Sequence, residues 1–350
     1  MDIKKILSEA AKQKASDIHL VFGLPPMVRH DGELTPFGLD GVILPPIADI
    51  DLDQAVKALL DAPQRQRLAE DRDLDAAASV EPYRYRVNFA YDRGHLKVAA
   101  RVVDDSKPTL EEIGMPAIVA ELLDVPQGLI LVTGPTGCGK STTLAAMVNH
   151  INSTRAAHII TLEDPIEYLF TSEKSIISQR QLGDDMLSFA EGLKHSLRQD
   201  PNVIMVGEMR DLETIATAIT LAETGHLVLA TLHTYSAAQT IDRIIDIFPA
   251  HQQGQIRSQL STILTAVISQ RLLPRVSGGR IAAREILLRN SAISNLIREN
   301  KVAQIKTVLE TNIQNGMTTL DRHLIQLYQA GEINKDTALQ YMEESGFLES

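Results

Sequence analysis

Residues 128–152 read GLILVTGPTGCGKSTTLAAMVNHIN, and three physical patterns follow one another in them. Residues 129–132 form a short, wholly apolar run, as expected of a strand in a parallel sheet with helices over both faces. Gly134, Pro135, Thr136, Gly137, Cys138, Gly139, Lys140 and Ser141 then satisfy G-x-x-x-x-G-K-[ST] in full. Leu144, Met147, Val148 and Ile151 recur at i, i+3, i+4 and i+7, which gives the following helix one apolar stripe to lay on that sheet.

The spacing has a chemical reason. Glycines let backbone N–H groups turn inward around phosphate oxygens, and the helix N-terminus adds partial positive charge. Lys140 is expected to reach the β/γ-phosphates and the Ser141 hydroxyl to ligate Mg²⁺. Strand before and helix after separate this loop from a chance glycine-rich turn, so the stretch is read as a nucleoside-triphosphate site.

Composition bounds the rest. A chain of 350 residues, 44% apolar, is long enough for two domains with cores of their own. A net charge of −11 argues against a nucleic-acid track, which works by neutralising phosphates with Lys and Arg. One cysteine excludes a disulfide within the chain and a cysteine-built zinc site, and suits a reducing cytosol. No apolar run approaches the ~18 residues of a membrane span, and residues 1–11 lack a signal-peptide core. A soluble, cytoplasmic protein is therefore expected, one that docks on a membrane complex at most.

Ahead of the loop, Ile3, Ile6, Leu7 and Ala10 space an amphipathic helix, and residues 17–21 alternate as a strand. Asp31-Gly32 marks a hairpin turn. Residues 51–60 and 63–69 read as helices, and 83–91 and 95–103 as strands joined by Asp92-Arg93-Gly94. Residues 1–103 should thus form a mixed α+β domain, followed over 104–117 by a linker that opens Asp104-Asp105-Ser106-Lys107-Pro108. From Leu110 helix and buried strand alternate, with strands at 129–133, 157–162, 202–206 and 227–232 and helical stretches between. That alternation predicts a parallel sheet wrapped by helices over 118–290. Residues 291–350 read as helical, with Ser291 capping a helix through Asn300 and residues 318–321 capping another that Gly331 ends.

Ligands of open α/β sheets bind past the carboxyl ends of the strands, so polar residues there are site candidates. Glu163, Asp164 and Glu167 follow the second buried strand; Gly207, Glu208, Arg210 and Asp211 follow the third. His233 follows the fourth, with His226 at its opposite end. Hydrolysis of a triphosphate needs one carboxylate near Mg²⁺ and another to orient or deprotonate water, and Glu163 and Glu208 fit those tasks. Asp164 and Asp211 fit helix caps equally well, and His233, taken by itself, reads more readily as a satisfied core histidine than as a functional one.

These residues carry a resemblance. GPTGCGKST, TLEDPIEY, LRQDPNVIMVGEMRDLETI and TGHLVLATLHTYSA, in that order, are similar to the Walker A, Asp-box, Walker B and His-box motifs of the secretion ATPase superfamily. Residues 292–299, AISNLIRE, resemble the AIRNLIRE signature of type IV pilus retraction ATPases, the PilT-like branch; KASDIHL, GLPPMVRHDGEL and YRYRVN resemble its N-terminal domain. The resemblance implies a PAS-like α+β domain followed by a RecA-like P-loop ATPase domain with a helical C-terminal extension. It implies ATP and Mg²⁺ as cofactors, bound by residues 134–142 including Thr142, with Mg²⁺ on Ser141 and, directly or through water, Glu208. Glu163 becomes the general base, Glu208 the Walker B acid, and His226 and His233 nucleotide-state sensors. Arg86 and Arg101 become arginines that reach a neighbour's nucleotide.

The implied function is a homohexameric cytoplasmic motor for pilus retraction, acting on an inner-membrane platform protein at the cytoplasmic face of the membrane. A paralogous retraction ATPase is a further partner the resemblance leaves open. A pilus-assembly or type II secretion ATPase is the sister reading; a RecA-like nucleic-acid motor and a slow, ATP-gated accessory ring subunit are readings of other classes. Two departures stand out: Cys138 occupies a position where the family usually carries serine, and Ser294 replaces the arginine of AIRNLIRE.

Overall fold

The computed structural model describes residues 1–30, 33–39, 41–103 and 107–343. The expected Asp31-Gly32 turn, Asp104-Asp105-Ser106 of the linker and residues 344–350 lie outside the described residues. Two compact units divide the chain: Met1–Ser106 with Pro165–Leu169, and Lys107–Asp164 with Phe170–Ser350.

In the first unit, α1 (Ile3–Lys12) starts where the Asp2 side chain accepts the Lys5 N–H, and it buries Ile3, Ile6, Leu7 and Ala10. Six strands make one antiparallel sheet, in the order β3 (Glu33–Pro36), β2 (Met27–His30), β1 (Asp17–Val21), β8 (His95–Val103), β7 (Tyr83–Asp92) and β6 (Asp73–Val80). The hairpin of β4 (Gly38–Leu39) and β5 (Val42–Ile43) and helices α2 (Asp49–Leu59) and α3 (Ala62–Asp71) lie between β3 and β6 in the chain. Alternation along β7 puts Tyr85, Val87 and Phe89 in the core. Sequence patterning gives no strand at β6, whose DLDAAASV is rich in Ala and Asp. Pairing with β7 from Asp73 opposite Ala90 to Val80 opposite Tyr83 holds it extended despite that poor propensity.

The second unit is built on a seven-stranded sheet, ordered β11 (Ile176–Gln181), β10 (His158–Glu163), β12 (Val203–Val206), β13 (Leu227–Leu232), β9 (Gly128–Thr133), β14 (Leu264–Pro274) and β15 (Arg280–Leu288). All neighbours are parallel except β14 and β15. Every residue of β9, β12 and β13 is buried, which is why these strands read as unbroken apolar runs. Helices α4 (Ala117–Leu123), α5 (Lys140–Thr154), α6 (Phe189–Ser196), α7 (Leu212–Glu223), α8 (Ala237–Asp246) and α9 (Ala250–Ile263) alternate with these strands. At about 1.5–3 kcal/mol per buried aliphatic side chain, this core dominates the unit's cohesion. Helix α5 is sunk deeper than one stripe requires, since Thr143, Ala145, Ala146 and Asn152 are buried with Leu144, Met147, Val148 and Ile151.

Two sequence expectations are corrected here, and one strand pair is added to them. The polar IISQRQ run is a strand, β11, because it pairs with β10 at the sheet edge. The stretch between His233 and Ile286, where the sequence pattern names no strand, contains the long antiparallel pair β14–β15; its apolar runs lack the alternation that marks a half-buried strand. The cap of α10 (Ser291–Arg298) is Asn290, whose side chain accepts the Ile293 N–H, and not Ser291. Downstream, α11 (Ile305–Thr311) precedes α12 (Leu320–Gln329), capped by Thr319, and α13 (Lys335–Tyr341). Leu324, Leu327 and Ile333 pack with Leu273 and Ala283 in a small cluster of their own.

Candidate nucleotide site

Register aligns the strand ends. Leu162 stands opposite Val206, Val206 opposite Ala230, and Ala230 opposite Leu131. Because these strands are parallel, Glu163, Glu208, His233 and Gly134 all emerge from the same edge of the sheet within three residues of that line. The loop between β9 and α5 therefore shares its edge with both acids and with His233.

The loop's shape rests on glycine. Gly134 has φ +144°, and a Cβ there would stand 2.4 Å from Gln270 O and 2.6 Å from Cys138 Sγ. Gly137 and Gly139 also have positive φ. Lys140 Nζ donates to the carbonyls of Gly134 (2.9 Å) and Pro135 (3.1 Å), closing the loop on itself. Phosphate oxygens at the start of α5 would draw that ammonium away from two neutral carbonyls. Thr136 and Ser141 are exposed, while Cys138 is buried at 3% exposure. Burial pushes the Cys138 thiol up, outweighing the opposing pull of Lys140. Cys138 is thus a buried thiol filling space.

Glu163, 7% exposed at the end of β10, accepts from Thr161 Oγ1 at 2.6 Å and Gln179 Nε2 at 3.1 Å, so its carboxylate is oriented from two strands. Glu208 follows Gly207, which packs so close that a Cβ would sit 3.2 Å from Leu162 O. Its carboxylate takes Arg210 Nε at 2.6 Å and lies 3.5 Å from His233 Nε2. Asp211 caps α7, accepting from both Thr214 N and Thr214 Oγ1. Burial raises its pKa, and those bonds more than offset it, leaving it below the usual carboxylate value. Its helix-cap reading therefore holds.

Not every expected residue reaches this edge. His226 precedes β13, and its Nδ1 is 3.0 Å from Leu221 O. Six strand residues at about 3.3 Å each put it roughly 20 Å from His233's end of the strand. Within one chain it is therefore not brought to the loop. Arg86 and Arg101 belong to the first unit, opposite each other across β7 and β8. Each is held by a carboxylate: Arg86 lies 3.5 Å from Asp75, and Arg101 Nε donates to Asp17 at 2.8 Å. Ser294 Oγ donates to Ser261 O at 2.7 Å, tying α10 to α9 where the resembled signature has arginine.

Sequence reasoning missed Gln270 and Ser269. On β14, Ser269 Oγ accepts from Thr133 Oγ1 and Gln270 reaches the loop itself. The available signal was a pair of polar residues interrupting an apolar run.

A hard cation held mainly by phosphate oxygens and water needs few protein ligands. The exposed Ser141 hydroxyl and the Glu208 carboxylate on the same sheet edge are of the chemistry Mg²⁺ takes.

A phosphate loop between a buried parallel strand and its helix, with two oriented acids at neighbouring strand ends, defines a RecA-like P-loop nucleotide hydrolase. Comparison with known proteins narrows the class. Residues 1–307 match the family described as type II/IV secretion system protein. The chain is 47% identical to the type IV pilus retraction ATPase PilT of Pseudomonas aeruginosa over 340 residues, 97% of each chain. It is 46% identical to a twitching motility protein of Neisseria gonorrhoeae over 323 residues, 91% of this chain and 85% of that one. A crystal structure of the pilus retraction motor PilT with bound ADP superposes with a TM-score of 0.92 at 46% identity, covering 100% of this chain and 99% of that one. The protein belongs to the type II/IV secretion system family and is an ATPase of its PilT-like branch.

Proposed function

We propose that the protein is the hexameric motor of pilus retraction, converting ATP hydrolysis into withdrawal of pilin subunits at an inner-membrane platform protein. The observation that carries this reading is the match to a retraction ATPase along 97% of both chains, in both units. Among the described residues no helix is long and apolar enough to cross a membrane, in keeping with a motor that docks on the cytoplasmic face.

In this reading residues 134–142 and Lys140 hold the triphosphate. Mg²⁺, when bound at Ser141 and Glu208, neutralises phosphate charge. Glu163 orients and deprotonates the attacking water, and His233 senses the γ-phosphate through Glu208. Arg86 and Arg101 leave Asp75 and Asp17 to reach the nucleotide of a neighbouring subunit, and His226 acts across the same boundary. An arginine supplied in trans is worth ~10³–10⁵ in rate, which couples turnover to assembly. A paralogous ATPase sharing the platform is compatible with this arrangement.

Deleting the gene in the parent organism tests the proposal by scoring surface pili and twitching. Hyperpiliated, immobile cells are expected; bald cells would assign assembly instead.

A further inference from the structure

Gln270 lies outside every nucleotide-binding motif, yet it is 1% exposed and meets the phosphate loop at several points. Its Nε2 donates to Cys138 O at 2.7 Å, and its Oε1 accepts from Thr143 Oγ1 at 3.0 Å on the first turn of α5. Its own carbonyl limits Gly134, and its Nε2 stands 3.3 Å from where a Cβ on Gly139 would be. The amide's orientation follows from chemistry. A carbonyl only accepts, so the NH₂ must face Cys138; the oxygen then faces Thr143, whose hydroxyl must donate.

The C=O and N–H of a trans peptide point in opposite directions. Pinning Cys138 O toward β14 therefore aims the Gly139 N–H away from β14. Among the described residues that N–H has no hydrogen-bond partner, as suits a donor kept for a ligand. We propose that Gln270 is a positioning residue for nucleotide: anchored by Thr143, it holds the Cys138–Gly139 peptide so that the Gly139 N–H meets a phosphate oxygen. A loop set in advance loses less freedom on binding, so Gln270 raises affinity for the nucleoside diphosphate as well as the triphosphate. The inference concerns nucleotide affinity alone and holds whichever process the motor drives.

The test is ADP titration by calorimetry on the full-length protein, with the melting temperature of the nucleotide-free protein measured in parallel. Gln270→Glu keeps the acceptor for Thr143 but, ionised, cannot donate to Cys138 O; at about pH 8 its ADP affinity should fall about tenfold or more. At about pH 6 a buried glutamic acid is protonated and donates its O–H, so affinity should return to within about threefold of wild type at that pH. Gln270→Met, with no donor, should stay weak at both pH values. Wild-type affinity in either variant at about pH 8, or a loss that follows the melting temperature with no recovery of Gln270→Glu at low pH, would overturn the proposal. Should both Gln270 variants fail to fold, Thr143 decides: Thr143→Ser should bind as wild type and Thr143→Val weakly, and equal binding by the two ends the idea.

Discussion

Glu208 and His233 face each other across the ends of β12 and β13, with His233 Nε2 3.5 Å from one carboxylate oxygen while Arg210 Nε takes the other at 2.6 Å. The acid expected to act near Mg²⁺ is thus engaged by one permanent cation and one imidazole. In the proposed arrangement a Mg²⁺ bound with the triphosphate would compete with both for that carboxylate, so that occupancy of the loop would be felt at Arg210 and His233.

Glu208→Gln retains size and hydrogen bonding while removing the charge. ATP binding should persist and turnover fall by at least ~10²-fold, since the loss is confined to the transition state. Phosphate release and nucleotide titration on the same preparation measure both quantities. Turnover near the wild-type value would remove Glu208 from the chemistry.

Gly134→Ala places a methyl 2.4 Å from Gln270 O, in a strand-to-loop turn at φ +144°. Backbone cannot retreat there without separating β9 from β14, whose pairing runs from Leu129 to Thr133. The variant should lose measurable ADP binding and melt several degrees lower, on the order of 1–3 kcal/mol for overpacking. Unchanged binding would show that the loop adapts.

Cys138 is the only cysteine, 3% exposed, with its thiol pushed up by burial. Oxidants attack the thiolate, which this environment disfavours. Cys138→Ser should keep turnover within about twofold of wild type, because serine is the smaller isostere. Mild peroxide should slow both proteins alike; reversible loss confined to the wild type would establish a redox switch.

Arg101 supplies a test of action between subunits. Arg101→Ala and Lys140→Ala should each be inactive alone, the first lacking the donated arginine and the second its own phosphate contact. Mixed in one oligomer, some sites pair an intact Lys140 with a neighbour's intact Arg101, and turnover should reappear. No recovery in oligomers shown to contain both variants would confine Arg101 to its bond with Asp17.

How much of this was legible depended on what each residue does. The loop and its flanking strands read cleanly because a phosphate nest tolerates few spacings and a doubly covered strand must be apolar throughout. The acids were legible by position, since parallel strands end on one edge. His226 was legible as lying a strand's length from His233, at the opposite end of β13, and only the resemblance linked it to the nucleotide. Strands β6 and β11 lack β-rich composition and exist by pairing, which a local pattern cannot register. Gln270 was illegible for a related reason, since its importance comes from β14 lying beside β9, a contact between segments more than a hundred residues apart.

His323 gives the fold a measurable pH dependence. Its Nδ1 accepts the Arg284 N–H at 2.9 Å, which requires that nitrogen to be unprotonated. Burial first, and the Arg284 guanidinium second, hold the imidazole below its usual range. Arg284 is itself buried, with its pKa lowered to about 10 by burial, and it donates to the carbonyls of Ile113 and Gly114. The neutral imidazole is therefore the form the fold prefers. Between the lowered folded value and the ordinary value near 6.5 the unfolded chain binds more protons, so stability rises with pH across that window. The contribution is fully present above about pH 6.5 and is lost as pH falls toward the folded value, at no more than roughly 1.4 kcal/mol per pH unit. Urea unfolding of the wild type and of His323→Gln at about pH 7.5 and about pH 5.5 measures it against that ordinary histidine value. The wild type should lose more stability over that interval than the variant, which has no group to protonate; parallel losses would mean that His323 carries no part of the acid sensitivity.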